Sequence, residues 1–313
     1  MNQNEMRSGT LPIRLIGDII FFKGNWFILG DKGGKYGLYV SRDLLSWEMI
    51  AARFNNYARM KEAGGRLFCF RHPFCGERSA FCDMMCSENG FDWEPVVFNP
   101  ENGAPHYVLD ILFEENHWIF LGESLKQNDS FKYGCFFSTP DLKNWKIFNT
   151  SMGFPEYNSL TLAYGNKTLA STARNTANEY VLLHSTDLRS WRKIQIPDGF
   201  YENLYFFQKT FFAFSLSLSS CRLSSDAVSW RAYEATGMDM AGPVKAAWPR
   251  TVQGNTVIRA SLSGTDIYFS HNFLDWHGKR LPFKMHACAV NGSRLVLVSG
   301  KGEFLEADIS FLA

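Results

Sequence analysis

The stretch that decides the fold reads Ser-Arg-Asp-Leu-Leu-Ser-Trp, residues 41–47. A serine, then an Asp or Asn, then a Trp recur at similar spacing along the whole chain. The further copies begin at Ser87, Ser138, Ser185, Ser224 and Ser270. Each copy lies between two short apolar runs, a pattern typical of strand, tight turn and strand. Ser and Asp side chains can hydrogen-bond the backbone of such a turn, and the Trp supplies an apolar surface for packing.

A second repeated signal is a short polar hairpin between two apolar runs. Its seven copies lie at residues 23–26, 63–66, 115–118, 165–168, 207–210, 254–256 and 291–294. The spacing from hairpin to turn places the seventh turn near Ser310, so the last unit lacks its fourth strand. Residues 10–16 form a strand-like segment with no hairpin partner, and we expect this segment to supply the missing outer strand and close a ring.

Seven four-stranded antiparallel units whose edges are hidden by radial closure predict an all-β fold, a seven-bladed β-propeller spanning residues 1–313 as a single domain. A six-bladed propeller is the alternative. A linear solenoid would not explain why the unpaired segment at one end matches the gap at the other. The expected blades cover residues 17–52, 56–98, 106–149, 157–197, 201–235, 244–283 and 284–313.

Composition excludes several classes of partner. The chain has 313 residues, with 32 Lys and Arg against 31 Asp and Glu, so it has no basic field for nucleic acid or anionic lipid. Aromatic residues make up 16% of the chain, which is too many for a disordered protein. The most apolar stretch, residues 204–218, is interrupted by Gln208 and Lys209, so we expect no membrane span. We expect a monomer.

The cysteines predict free thiols. The N-terminus lacks the apolar core of a secretory signal, and the seven cysteines show no paired framework, so we expect a cytoplasmic protein. Cys69, Cys75, Cys82 and Cys86 crowd one segment and raise the hypothesis of a zinc site. Their spacing lacks the close pairs of common zinc sites, which favours buried apolar cysteines, and we expect no metal and no cofactor.

The repeated turn resembles the Asp-box of sialidase-like propellers, most closely in the copy with Asn89-Gly90. The copies at Ser41 and Ser185 are also similar to a turn of five-bladed furanosidase and arabinanase propellers. The resemblance covers nearly the whole chain and implies a scaffold rather than an activity. The resemblance to sialidases would imply an arginine cluster, an Arg-Ile-Pro element and a Tyr–Glu pair. The chain has Ile13-Arg14 without Arg-Ile-Pro, so we do not expect sialidase activity.

Ligands of such folds are expected where the inner strands begin, around the central channel. Counting about eight residues back from each hairpin places these residues there: Asp18, Ala58, Asp110, Leu160, Glu202, Trp248 and His286. The preceding loops add tyrosines and polar groups that suit sugars or protein partners. The expected ligand-binding set is Tyr57, His106, Tyr107, Glu156, Tyr157, Tyr201, Glu202, Trp248 and His286.

Two functions remain open. The preferred hypothesis is a non-catalytic module that binds a protein or carbohydrate ligand over the channel. The alternative is a glycoside hydrolase in which Asp18, Asp110 and Glu202 act as the carboxylate set implied by the furanosidase resemblance. That chemistry needs two carboxyl groups roughly 5–9.5 Å apart, and acids on the first, third and fifth blades of a wide ring favour a solvated channel without chemistry. The sequence contains no Gly-x-Ser-x-Gly elbow and no phosphate-binding glycine loop before a helix.

Overall fold

The structure is a computed structural model, and it describes residues 6–51, 54, 59–71, 84–98, 107–125, 132–149, 157–175, 177, 179–187, 190–194, 203–214, 220–234, 251–253, 256–260 and 265–309. Within these ranges, 28 strands form seven four-stranded sheets. Every pairing recorded between neighbouring strands is antiparallel, as in β10 with β11 and β26 with β27. No helix among the described residues is long and apolar enough to cross a membrane.

Each sheet consists of strands that follow one another in the chain, and their bounds are as follows. The first sheet contains β2 (Arg14–Phe22), β3 (Asn25–Lys32), β4 (Lys35–Ser41) and β5 (Glu48–Ala51). The second contains β6 (Arg59–Ala63), β7 (Arg66–Phe70), β8 (Met84–Ser87) and β9 (Glu94–Pro95). The third contains β10 (Tyr107–Glu114), β11 (His117–Leu125), β12 (Lys132–Thr139) and β13 (Lys146–Asn149).

The same order continues in the later sheets. The fourth contains β14 (Tyr157–Gly165), β15 (Thr168–Asn175), β16 (Tyr180–Ser185) and β17 (Arg192–Ile194). The fifth contains β18 (Asn203–Phe207), β19 (Thr210–Phe214), β20 (Ser220–Ser224) and β21 (Arg231–Glu234). The sixth contains β22 (Thr251–Gln253), β23 (Thr256–Ala260), β24 (Asp266–Ser270) and β25 (His277–Arg280). The seventh contains β26 (Met285–Asn291), β27 (Arg294–Ser299), β28 (Glu303–Asp308) and, as its outer strand, β1 (Arg7–Thr10).

The hairpins between the first and second strands of the sheets are two-residue turns. Lys23 and Gly24 both have positive φ, 45° and 84°, between the paired residues Phe22 and Asn25. Positive φ at both central residues defines the turn whose twist matches that of the flanking strands. Gln208 and Lys209 adopt the same conformation without a glycine. The hairpins expected from the sequence are therefore confirmed where the structure describes them.

The Ser–Asp turns join the third strand of a sheet to the fourth. In the first sheet the N–H of Leu44 donates to Ser41 Oγ at 3.0 Å, and the N–H groups of Leu45 and Ser46 donate to Asp43 Oδ1 at 2.8 and 2.9 Å. Trp47 Nε1 donates to the carbonyl of Leu44 at 3.0 Å. The side chains thus satisfy backbone groups that have no ladder partner, as the sequence pattern predicts.

The copy in the third sheet begins one residue later than the sequence pattern indicates. Thr139, rather than Ser138, supplies the hydroxyl: its Oγ1 lies 3.2 Å from Asp141 Oδ1 and accepts the N–H of Leu142 at 2.9 Å. In every described copy the hydroxyl residue is two positions before the Asp or Asn, whereas Ser138 is three positions before Asp141. Successive residues of a strand point to opposite faces, so the Ser138 side chain faces away from the turn.

The outer strand of the seventh sheet precedes the segment expected from the sequence. β1 pairs with β28, with Arg7 opposite Glu306 and Thr10 opposite Glu303. Residues 11–13 instead run from the last sheet to the first, with the N–H of Leu11 donating to the carbonyl of Gly302 at 2.7 Å. Leu11, Ile13 and Ile16 are buried in an apolar cluster that both sheets share, and Pro12 has no N–H to donate to a ladder.

The first strands contact one another between sheets one and two, two and three, three and four, four and five, and six and seven, and β26 of the last sheet contacts β2 of the first. Because each sheet reverses three times, the first hairpins and the Ser–Asp turns share one end of the molecule, which we call the hairpin end. The first strands begin at the other end, which we call the start end.

A contact at the hairpin end recurs between neighbouring sheets. Lys23 Nζ, Asn166 Nδ2 and Gln208 Nε2 each donate to a carbonyl in the Ser–Asp turn of the following sheet, at 2.6, 2.8 and 3.2 Å. The acceptors are the carbonyls of the residues between the Ser and the Asp or Asn, namely Glu88, Ser225 and His271. The repeated turn therefore joins neighbouring sheets as well as neighbouring strands.

Candidate functional site

Asp18 and Asp110 occupy equivalent positions near the start end. Asp18 lies opposite Leu29 on β3, and Asp110 lies opposite Leu121 on β11. In both residues Oδ1 accepts the N–H of the following residue, at 3.0 Å for Ile19 and 2.9 Å for Ile111. Two of the carboxylates proposed from the sequence therefore share one ladder position and one local conformation.

Four of the other five residues counted from the hairpins fall one position earlier, and Trp248 lies outside the described residues. His286 and Leu160 lie where the pairing register shifts, and the residues equivalent to the two aspartates are Ala287 and Thr161. In the second and fifth sheets the equivalent residues are Arg59 and Asn203, opposite Phe70 and Phe214, rather than Ala58 and Glu202. Eight residues back from Trp26 and Trp118, which each follow the residue that closes the hairpin, is the shared position. Eight residues back from the closing residues Arg66, Thr168, Thr210 and Arg294 is the residue before it, and a shift of one residue moves a side chain to the other face.

The Asp18 side chain joins two sheets. Its Oδ2 accepts the N–H of Met60 on β6 at 3.0 Å. Met60 is buried, and Asp18 is partly buried. The thiol of Cys69 lies close by, and its burial, together with the negative charge of Asp18, raises the pKa of Cys69 well above its usual range. This carboxylate therefore positions the first strands of the first and second sheets, and its charge adds to the effect of burial on the pKa of Cys69.

Asp110 contacts the same strand from the other side. Lys61 Nζ forms an ion pair with Asp110 Oδ1, the oxygen that also accepts the N–H of Ile111. The two side chains are about one-third exposed, 34% for Lys61 and 33% for Asp110. We call Asp18, Met60, Lys61 and Asp110 the β6 polar cluster. It presents a cation beside a carboxylate, and so offers both hydrogen-bond donors and acceptors to a ligand.

Two further residues are exposed at the start end where β26 and β2 meet. His286 is exposed at the irregularity of β26, and a bulge of this kind re-aims a side chain. Leu15 is 70% exposed, has φ of 48°, and donates its N–H to the carbonyl of Gly300 at 2.9 Å. His286 was proposed from the sequence, whereas Leu15 was missed. No sequence signal marks Leu15, because its exposure follows from the irregular pairing between Arg14 and Asp18.

Most of the expected ligand-binding residues lie outside the described residues. These are Tyr57, His106, Glu156, Tyr201, Glu202 and Trp248. Tyr107 is the first residue of β10 and Tyr157 the first residue of β14, and these strands are the first of the third and fourth sheets. The side chains of both tyrosines also lie outside the part of the chain that the structure describes. The role of these residues stays a prediction.

The cysteine-rich segment can be tested at two of its four positions. Cys69 and Cys86 are both buried, and Cys69 lies opposite Met85 while Cys86 lies opposite Phe68. Because directly opposed residues share a face, the two thiols point to opposite faces of the second sheet and cannot bind one ion. Burial, the largest influence on each thiol, raises the pKa of both. In the part of the chain that the structure describes, no cluster of His, Cys, Asp and Glu has the geometry of a metal site.

No protein-family model matches this chain, and no curated protein sequence resembles it significantly. Solved structures resemble it over nearly its whole length. A streptogramin B lyase aligns with a TM-score of 0.66 at 7% identity, covering 97% of each chain. Virginiamycin B lyase from Staphylococcus aureus aligns with a TM-score of 0.64 at 7% identity, covering 98% of this chain and 99% of the lyase. The β-propeller domain of the trilobed protease from Pyrococcus furiosus gives 0.56 at 8% identity, covering 95% and 93%.

The chain has a β-propeller fold. The propellers it resembles include lyases and also a chain of the mitotic checkpoint complex, which aligns with a TM-score of 0.56 at 10% identity. Identities this low show the fold alone. The scaffold thus serves catalysis in some proteins and assembly in others, and the function of this propeller has to be argued from its own residues.

Proposed function

We propose that this protein is a seven-bladed propeller, closed by its N-terminal strand, that binds a protein or carbohydrate ligand at the start end without catalysing a reaction. The seven sheets of the described residues, the pairing of β1 with β28 and the contact of β26 with β2 support seven blades in a closed ring. Radial closure protects sheet edges, which favours this arrangement over an open row of sheets.

The observation that carries the proposal is the bonding of the two channel carboxylates. Asp18 accepts the N–H groups of Ile19 and Met60, and Asp110 accepts an N–H and the ammonium group of Lys61. Both side chains bind consecutive residues of β6 and so hold neighbouring blades in register. A general acid or base must instead present an oxygen to the reacting group. These contacts therefore favour a positioning role over glycoside chemistry.

The surface around these residues suits a polar ligand with some apolar area. The Lys61–Asp110 pair and His286 offer charged and neutral hydrogen-bonding groups, and Leu15 adds an exposed apolar side chain. The tyrosines predicted from the sequence would add rigid amphipathic area of the type found in binding sites for sugars and proteins. A mixed surface of this kind fits a binding face.

A glycoside hydrolase is the alternative, with Asp18, Asp110 and Glu202 as its carboxylates. It requires Glu202 and one aspartate to approach within about 5–9.5 Å around a substrate. An Asp110→Asn variant separates the two functions. If the purified protein hydrolyses a panel of aryl glycosides and this change abolishes the hydrolysis, the non-catalytic proposal is wrong.

The binding proposal is tested with the immobilised protein, using an extract of the native host and a glycan array in parallel. We expect a His286→Ala/Lys61→Gln variant to lose at least about tenfold in ligand capture, since both changes remove polar groups from the start end. The matched control is Val228→Ser, which alters an exposed residue of a Ser–Asp turn at the hairpin end and should leave capture unchanged. Loss of capture in the Val228 variant alone would place the binding face at the hairpin end and contradict the proposal.

A further inference from the structure

The outer strand of the seventh sheet is attached differently from the other outer strands. In the described sheets one to six, a turn connects the outer strand directly to the third strand. β1 has no such turn, because it pairs with β28 and continues through residues 11–13 into β2 of the first sheet. It can therefore leave its partner without breaking a hairpin.

Two residues of β28 restrict which residues can lie opposite them in a strand that pairs with its edge. Glu306 is only 3% exposed, and its carboxylate lies 3.5 Å from Arg7 Nη1 and 3.1 Å from Arg294 Nη1. A buried carboxylate requires cationic partners, so the residue opposite Glu306 should be basic. Opposite Phe304, a β-carbon at Gly9 would lie 2.9 Å from the ring, so this position favours glycine.

Arg7 also connects the strand to the rest of the ring. Its guanidinium group lies over the Phe304 ring, 5.8 Å from the ring centre, and Nη1 lies 3.5 Å from the carbonyl of Asp43 in the first sheet. One side chain thus contacts the buried carboxylate, the aromatic ring and the neighbouring blade. A replacement strand would need an arginine at this position to restore all three contacts.

Few buried contacts hold β1 on β28. Ser8, Gly9 and Thr10 are exposed, so little apolar area holds the strand in place. Arg7 Nη2 and Glu306 Oε2 are buried atoms without a hydrogen-bond partner, which leaves the central ion pair incompletely satisfied. Short strands with few buried contacts open at low free-energy cost.

We propose that β1 detaches from β28 and that the exposed edge binds β1 of a second copy of this chain, so that two copies exchange their closing strands. Strand addition at a sheet edge is a general mode of recognition, and exchange of a terminal element is a common route to dimers. The second copy brings an arginine opposite Glu306 and a glycine opposite Phe304 in the same register. The monomer remains the resting form, because the intramolecular strand has the higher effective concentration.

The first test measures binding of a labelled peptide of residues 6–13 to the full chain by fluorescence anisotropy. We expect saturable binding that is at least about tenfold tighter for the full-length Arg7→Gln variant, whose own strand competes less well. A peptide with Arg7→Glu should bind at least about tenfold more weakly. Equal binding by the two peptides, or no gain with the Arg7→Gln chain, would overturn the proposal. The thermal unfolding curve of the variant checks that it folds.

The second test identifies the partner. Two full-length copies with different affinity tags are mixed at about 100 μM, and mixed dimers are recovered by sequential purification and sizing. We expect mixed dimers that form slowly and that excess wild-type peptide suppresses, while the charge-reversed peptide does not. If the peptide binds but mixed dimers do not form, a second copy is not the partner and the assignment is wrong.

Discussion

The carboxylate of Asp18 accepts the backbone N–H of Met60 at 3.0 Å, and this bond joins the first strands of two neighbouring sheets. The two residues are 42 positions apart in the chain. Met60 lies on β6, an end strand of the second sheet that pairs with β7 on one side, so on its other side a buried N–H has no strand to receive it. The aspartate side chain supplies that acceptor and thereby fixes the position of the two strands relative to each other along their length.

Replacing this acceptor should destabilise the protein. We expect Asp18→Ala to lower the free energy of unfolding by about 1–3 kcal/mol, because it leaves the Met60 N–H unsatisfied. Asp18→Asn retains an acceptor oxygen and is the matched control, with a smaller loss. Urea unfolding measures the effect, and hydrogen exchange at the Met60 amide reports it locally. Equal losses in the two variants would show that charge, rather than the acceptor, matters.

Each Ser–Asp turn has two polar positions three residues apart, the Asp or Asn of the motif and the residue three positions later. Only one of these two positions carries a carboxylate. Where the motif has Asn, at 89 and 272, the residue three positions later is Asp, and the amide donates to it at 2.7 and 2.8 Å. Where the motif has Asp, the later residue is Ser or Asn, as in Asp141 with Asn144 at 2.6 Å. The alternation avoids two like charges at hydrogen-bond distance.

This pairing predicts a specific rescue. Asn89→Asp should lower the urea midpoint at neutral pH, because it places a second carboxylate beside Asp92, and the loss should shrink at 0.5–1 M salt, roughly the range in which exposed charges are screened. Adding Asp92→Ser to that variant recreates the arrangement of Asp43 with Ser46 and should restore the midpoint. A double variant that is no more stable than the single variant would contradict the charge explanation.

Gly90 combines a left-handed backbone with a close contact. It has φ of 85°, and an added β-carbon would lie 2.3 Å from the Phe27 ring of the first sheet. Gly24 has nearly the same φ, 84°, with nothing within 4 Å, and is the matched control. We expect Gly24→Ala to cost about 1 kcal/mol from backbone strain and Gly90→Ala to cost about 1–3 kcal/mol more from overpacking. Equal urea midpoints for the two variants would show that the Phe27 ring moves away from the added β-carbon without a measurable loss of stability.

The buried imidazole of His184 predicts loss of stability in mild acid. Burial and then the positive charge of Arg192 lower the pKa of His184 below its ordinary value of 6.5. Because the unfolded chain then binds the proton more readily, the free energy of unfolding should fall as pH drops below about 6.5. Urea midpoints between pH 7.5 and 5 measure this slope, which His184→Gln should flatten.

The carboxylates of the Ser–Asp turns affect the free energy of unfolding in a lower pH range than His184 does. Burial raises the pKa of Asp226, but the N–H groups of Ser229 and Val228 outweigh it and lower the pKa to about 2. Its stabilisation is therefore lost only as pH falls below the ordinary value of 3.8, well below the range of His184. A slope between pH 7.5 and 5 that persists in His184→Gln would assign the pH dependence to another group.

The repeat could be predicted from the sequence because its interactions are local. Ser41, Asp43 and Trp47 bond backbone groups within three residues of themselves, so the turn is encoded by the residues that form it. The hairpins follow equally from short polar pairs between apolar runs. Together they predict an all-β chain of four-stranded units without reference to any tertiary contact.

The start end could not be predicted as well, because its geometry depends on residues distant in the chain. The residue that closes the hairpin lies at a different place in the sequence motif from one sheet to another, by one residue, and hairpin spacing cannot reveal this difference. Counting from the hairpins therefore treats Asp18 and His286 as equivalent, although Ala287 is the residue of β26 that shares the position of Asp18.

By itself the sequence determined the class of fold and the places of its turns, since side chains there satisfy the backbone of their own segment. Only the tertiary structure decided that Arg7–Thr10 covers β28, that Asp18 bonds Met60, and that Lys61 pairs with Asp110. These contacts join different sheets. Their partners are selected by packing and by the pairing of buried polar groups, which no short stretch of the chain encodes.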